Sequence, residues 1–298
     1  MIPRFGDAMA LHPMDHGFEG NLNEHWTIGP KIHGGVMLAL CAKAAREAYG
    51  TGGQERSDAG IGTGGQERSD SGIGSAEPVA VSADFLSAPD PGSVQLITTI
   101  RKRGRRIGLV DVELDQVGRT GDERSREERR TCVRAVVTLG EPEHLAEPLL
   151  SANPVTPLMA PEPPPGVESI GPGHPAAAIN NLARGCDIRP ALEESYTAAG
   201  APVFKIWVRP KDGPVDVLFA LMCGDITVPA CYAVNRRGWA PTVQLTAYLR
   251  GLPADGWLRV VCTTAQIGQD WFDEDHTVVD STGRIIVQTR QLALVPAQ

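Results

Sequence analysis

The stretch DSTGRIIVQTRQLALV (280–295) decides the fold. Asp280 to Gly283 have the composition of a tight turn, and residues 284–295 alternate as a strand does. Period two puts Val287, Thr289, Gln291, Ala293 and Val295 on one face and Gln288 and Arg290 on the other. The face bearing Gln288 and Arg290 is the wet one, so Gln291 falls in the middle of the apolar face. An unpaired buried amide costs about 1–3 kcal/mol. Gln291 therefore finds partners in the core or faces a site.

Working outward, the same grammar occurs twice. Upstream of the tail stand a strand FKIWVRP (204–210), a helix PVDVLFALMCGDITV (214–228) and a strand PTVQLTAYLRGLP (241–253). An Asp-Gly turn then leads to WLRVVCTTAQIG (257–268) and WFDEDHTVVDSTGR (271–284). Earlier in the chain a helix GGVMLALCAKAAREAYG (34–50) precedes strands PVAVSADFLSAP (78–89), VQLITTIRKRG (94–104), LVDVELDQVGR (109–119) and TCVRAVVTLG (131–140). Each half is one helix followed by an antiparallel meander, an α+β layer packing. Two such halves are expected to associate as a pseudo-dimer within one chain.

The boundaries follow from composition. Ten prolines fall within 141–175, which reads as a stiff Pro-rich linker between an N-terminal unit, 1–140, and a C-terminal unit, 176–298. The first unit carries a tandem repeat, TGGQERSDAGIG (51–62) and TGGQERSDSGIG (63–74), whose polarity predicts a mobile insertion over 51–76.

At 298 residues the chain suits one large or two medium domains. A net charge of -8 argues against a nucleic-acid partner. The six cysteines form no CxxC pair and several lie in apolar runs, so they read as core residues of a reducing compartment. No basic-then-apolar leader and no long apolar run occurs, so the expectation is a cytoplasmic protein without a membrane span.

The repeated helix-plus-meander and the ending FDEDHTVVDSTGRIIVQTRQLALV (272–295) resemble the double hot-dog fold of acyl-CoA thioesterases similar to bacterial acyl-CoA thioesterase II, in its actinobacterial branch. The resemblance covers nearly all the chain outside the repeat and the Pro-rich segment. It implies a hydrolase of lipid metabolism that cleaves a fatty acyl-CoA to free acid and coenzyme A. Coenzyme A enters only as part of the substrate, and no metal or other cofactor is implied. Pairing into a homo-oligomer stays open.

Three groups of residues carry the chemistry. His33, Gly34 and Gly35 open the first helix, where bare backbone N–H groups and the helix dipole suit a thioester oxygen. The HGG sequence resembles single hot-dog thioesterases of the phenylacetyl-CoA type; the plainer reading is that the glycines permit close packing. Asp225 follows Leu218, Leu221 and Met222 on an apolar stripe, where burial would raise its pKa and suit it to act as a base. Otherwise it is a helix-end Asp binding backbone. Aligning the two helices sets His33 against Asp216 and Ala42 against Asp225, so glycines survive in one half and the acid in the other. That predicts one composite site.

The family resemblance further implies an Asp, a Ser or Thr and a Gln that orient a water. Laid on this chain, they fall on Gln244, Thr264 and Gln291. Gln244 departs from the pattern, because an amide holds water without taking its proton. That departure motivates a non-catalytic acyl-binding protein as an alternative. A hot-dog hydratase or dehydratase is a further alternative, lowered because neither helix carries the expected Asp and His together. Arg105 and Arg106, in RKRGRR (101–106), are candidates for the coenzyme A phosphates; a solvated hairpin end is the other reading. Asp273, Glu274 and Asp275 read as solvated, with no His or Cys at ligand spacing.

Overall fold

The computed structural model describes residues 2–57, 76–117, 129–143, 147–191 and 193–297. Short helix α1 (Phe5–Ala8) leads into strands β1 (Leu11–Met14) and β2 (Gly17–Leu22). A small hairpin, β3 (Thr27–Ile28) and β4 (Lys31–Ile32), precedes the long helix α2 (Gly34–Ser57). The first meander comprises β5 (Glu77–Phe85), β6 (Gly92–Arg103), β7 (Ile107–Val117) and β8 (Arg129–Gly140). The second half comprises β9 (Cys186–Pro190), β10 (Val203–Pro210), α3 (Val217–Cys223), β11 (Thr242–Leu249), β12 (Leu258–Thr263), β13 (Trp271–Val279) and β14 (Ile285–Leu294).

All strands but the small hairpin join one twelve-stranded sheet, in the order β1-β2-β6-β7-β8-β5-β11-β14-β13-β12-β10-β9. Read from the middle outward, the two halves present their strands in the same sequence, β5-β8-β7-β6-β2-β1 against β11-β14-β13-β12-β10-β9. The intrachain duplication expected from the sequence is therefore the architecture. The halves are joined by antiparallel pairing of β5 with β11, Ala83 opposite Leu245 and Val81 opposite Ala247.

The tail alternates as its sequence demands. Val287, Thr289, Gln291, Ala293 and Val295 are buried, while Gln288 and Arg290 are exposed. Helix α2 is buried on all sides from Val36 to Ala42, which suits a segment apolar all round. The second helix is shorter than its pattern predicts. Asp216 caps its start through an Oδ1 that accepts from the Phe219 N–H at 2.7 Å, and Gly224 ends it. All seven residues of α3 are buried, worth about 1.5–3 kcal/mol for each large apolar side chain.

The Pro-rich segment is not an extended spacer. Val155 and Met159 are buried with Val203, Trp207, Trp257, Val261 and Val279, which form the outer face of the C-terminal strands. The Trp207 indole N–H donates to the Ala160 carbonyl at 2.8 Å, and Arg259 donates to the Met159 carbonyl at 3.2 Å. The segment turns at Val155 to Met159, and these apolar residues cover an apolar sheet face. The repeat-bearing insertion predicted over 51–76 lies outside the described residues from 58 to 75, as do residues 118–128. All six cysteines are buried and unpaired. Among the described residues no helix is long and apolar enough to cross a membrane.

Candidate active site

The start of α2 and the end of α3 meet side by side, and the two HGG glycines make that approach possible. A Cβ on Gly35 would lie 2.5 Å from the Met222 carbonyl oxygen, and one on Gly34 would lie 2.7 Å from an Asp225 oxygen. Across this gap the Gly35 N–H donates to Asp225 Oδ2 at 2.7 Å. His33 Nε2 lies 2.9 Å from the Asp225 backbone carbonyl. A carbonyl only accepts, so that nitrogen carries the proton. The same nitrogen is 3.7 Å from Asp225 Oδ2. Asp225 lies just beyond α3 rather than within it, and its carboxylate is buried. Burial pushes its pKa up, opposed by the charge of His33, the Gly35 N–H and a hydrogen bond with Gln291.

Gln291 thus faces this site, and its amide is fixed at both its oxygen and its nitrogen. Its oxygen accepts from the Thr242 hydroxyl at 3.0 Å and its nitrogen donates to Glu274 Oε2, while the side chain stands close enough to Asp225 to favour its charged form. The hydrogen-bonded pair Gln291 and Thr242 stands beside Asp225, all three from the C-terminal half, and Asp225 is held by Gly35 of the N-terminal half. Gly224 fits closely here as well: its carbonyl accepts from the Thr289 hydroxyl at 2.6 Å, tying the end of α3 to β14.

Other residues singled out from the sequence fall elsewhere. Gln244 pairs across from Leu292, not Gln291, so it points to the opposite face of β11. Its amide nitrogen donates to Ser82 at 3.0 Å and Thr246 at 2.8 Å, away from Asp225. The irregularity between Thr242 and Gln244 shifts the register and brings Thr242 to Gln291, which a count of alternating positions misses. Thr264 is buried one residue past β12, and its hydroxyl has no hydrogen-bond partner among the described residues. It does not bond Gln291. Arg105 and Arg106 are exposed at the tip of the β6–β7 hairpin. The adjoining Arg103 donates to the Tyr49 carbonyl at 2.7 Å, near the other end of the first helix. At roughly 1.5 Å per residue this is about 20 Å from Gly35.

Glu274 is the residue sequence reasoning read wrongly. Asp273 and Asp275 do face outward, where each pairs with Arg290 at 3.3 Å. Glu274 between them points inward and is 2% exposed. Its Oε1 accepts from the Ala230 N–H and its Oε2 from Gln291. Burial is the main force that pushes its pKa to about 8, with the Asp225 and Asp273 charges adding and the two hydrogen bonds opposing. Cys262 stands opposite His276 across β12 and β13, and Glu274 lies two residues before His276 on the same face. Ligand-type atoms of these three lie within 4.8 Å of one another. The hydrogen bonds of Glu274, and His276 Nε2 to the Thr227 hydroxyl at 2.8 Å, make this a polar network inside the core. Burial, with the charge of His33, lowers the His276 pKa to about 3, so its ring is neutral. The Glu-x-His spacing within an otherwise alternating strand was the available signal.

A cleft of about 530 Å³ lies elsewhere, lined by Ser169, Asp187, Arg189, Arg209, Lys211 and Asp255 among others. It contains none of the residues around Asp225. The position matched to His33 in the second helix is the α3 cap Asp216, so the duplicated fold builds this constellation once.

Comparison with known proteins places the chain in a family. A family model of the acyl-CoA thioesterase N-terminal domain matches residues 22–140, and one of the C-terminal domain matches 155–295. An uncharacterised protein of Mycobacterium tuberculosis is 56% identical over 316 residues, covering 99% of each chain. A provisionally assigned thioesterase II from Thermobifida fusca YX has a TM-score of 0.75 at 22% identity over 99% of each chain. The acyl-CoA thioesterase II TesB2 of Mycobacterium marinum has a TM-score of 0.66 at 13% identity, over 99% of this chain and 98% of its own. These likenesses establish a double hot-dog fold, and with the two matched domains the chain belongs to the acyl-CoA thioesterase family.

Proposed function

We propose that the protein hydrolyses fatty acyl-CoA thioesters to the free acid and coenzyme A at the junction of α2 and α3. The observation that carries this is the Asp225 carboxylate, buried, held by the Gly35 N–H and shared with the Gln291–Thr242 pair. A water between Asp225 and Gln291 loses its proton to Asp225 as its oxygen attacks the thioester carbonyl. Negative charge on the carbonyl oxygen is met by the dipole at the start of α2, although the Gly35 N–H, expected from the sequence to hold that oxygen, is taken by Asp225. Collapse breaks the C–S bond, and the sulfur leaves with the proton that Asp225 received. No step requires a redox change.

The alternative of a non-catalytic acyl binder rested on Gln244 replacing the acid. With Gln244 on the other face of the sheet and Asp225 beside Gln291, that motive disappears. One observation favours a second enzyme reading. His33 and Asp225, from different halves, stand 3.7 Å apart and form the acid–base pair that a hydratase needs, though neither helix carries both. Incubation with saturated acyl-CoAs of graded length, following free thiol, tests hydrolysis directly. Incubation with enoyl-CoAs, following loss of the conjugated thioester, tests hydration. Thiol release without loss of conjugation is the expected result; the reverse would replace hydrolysis with hydration.

A further inference from the structure

We propose that Glu274 is a positioning residue for Gln291, fixing its amide with the nitrogen toward Asp225 and the oxygen toward Thr242. The inference rests on the hydrolytic reading for its consequence in turnover, but its geometry stands apart from it. A carboxamide can sit either way round in a pocket, and only its partners decide. Thr242 can donate or accept, so it does not decide. Glu274 does. Its Oε1 is committed to the Ala230 N–H, at the head of the turn after α3, which locates the carboxyl group. Its Oε2 then faces Gln291, and once ionised, above about pH 8, that oxygen accepts only and takes the amide nitrogen. With the nitrogen so placed, its second hydrogen is left for the side of Asp225, whose charged form Gln291 favours. The pairing of Glu274 directly opposite Gln291 on β13 and β14 sets the distance.

Among the groups packed around Glu274, the cysteines titrate above it and His276 below it. Asp225 lies beyond the shared amide, and its charge helps push Glu274 up to about 8. Asp273 adjoins Glu274 along β13 and is paired with Arg290 on the outer face. His276 is held neutral, with its pKa near 3. Burial raises the Cys231 thiol to about 11 and the Cys262 thiol well above its usual range. As Glu274 ionises, its hydrogen bond from Gln291 becomes charge-assisted and shorter-lived alternatives for the amide are lost.

Glu274→Gln separates positioning from packing. The substituted amide has one oxygen for the two donors of Ala230 and Gln291, so one donor loses its acceptor. The expected result is a fall in kcat of about tenfold to a hundredfold with KM unchanged. Wild-type kcat should also rise through pH about 8, a step absent from the variant. An independent reading comes from the side-chain amide protons of Gln291 in labelled wild-type protein, identified by their loss in Gln291→Glu. They should shift with a midpoint near pH 8. If the wild type cleaves no thioester, the hydrolytic reading fails and the amide titration still decides the placement of Glu274. An amide signal that ignores this pH range, or a Glu274→Gln enzyme with unchanged kcat and pH profile, would overturn the proposal.

Discussion

Gly35 and Asp225 are 190 positions apart in the chain and 2.7 Å apart at the junction of the two central helices. The contact joins the halves at their functional end, because the donor belongs to one hot-dog and the acceptor to the other. A duplicated fold could carry two such junctions. Only one is built, since the second helix begins with the capping Asp216 rather than with bare glycines.

The close approach depends on the missing side chain. In Gly35→Ala the new methyl meets the Met222 carbonyl oxygen at 2.5 Å, with backbone on both sides. The helices must part, and the Asp225 bond lengthens. Destabilisation of about 1–3 kcal/mol is expected, together with loss of turnover. Urea denaturation and thiol release measured on the same preparation check both.

The reassignment of the hydroxyl and amide positions has a paired test. Thr242→Val removes the donor to Gln291 and should reduce kcat by about tenfold or more. Gln244→Ala removes an amide that bonds Ser82 and Thr246 on the other face, and should change kcat less than about twofold. Steady-state kinetics on the two variants would reverse the assignment if the effects were exchanged.

The buried carboxyl of Glu274 also links stability to pH. Its folded pKa of about 8 lies above the ordinary 4.5, so between these values the folded chain binds more protons than the unfolded one. Its contribution is fully present below the ordinary value and is lost as pH rises through about 8. The buried Asp225 acts in the same direction. The Tm of the wild type should therefore fall from weakly acidic to alkaline pH, and Glu274→Gln should flatten that fall. A wild-type Tm that climbs over this range would contradict the burial of both acids.

Much of this was legible in the sequence for a physical reason. Alternation in β14 reports which face is buried, so Gln291 marked itself as a polar residue in an apolar row. The HGG opening and the lone acid after the second helix pointed to one composite site because packing distances and helix ends have local signatures. What stayed hidden depends on register between strands. The irregularity in β11 moves Thr242 beside Gln291, and nothing in PTVQLTAYL announces it, whereas regular alternation with Thr246 and Tyr248 already turns Gln244 away. Glu274 was masked by its acidic neighbours, which do face water. The Pro-rich strap looked like a spacer because its partners, Trp207 and Trp257, are distant in sequence.

The most direct measurement is thiol release by Asp225→Asn beside the wild type, with folding confirmed by an unchanged Tm or a raised one. The substitution keeps shape and the acceptor for Gly35 but removes the base, so kcat should drop by about 10²–10⁴-fold while KM stays near its wild-type value. A variant that releases thiol at the wild-type rate would show that the carboxylate joining the two halves takes no part in the chemistry.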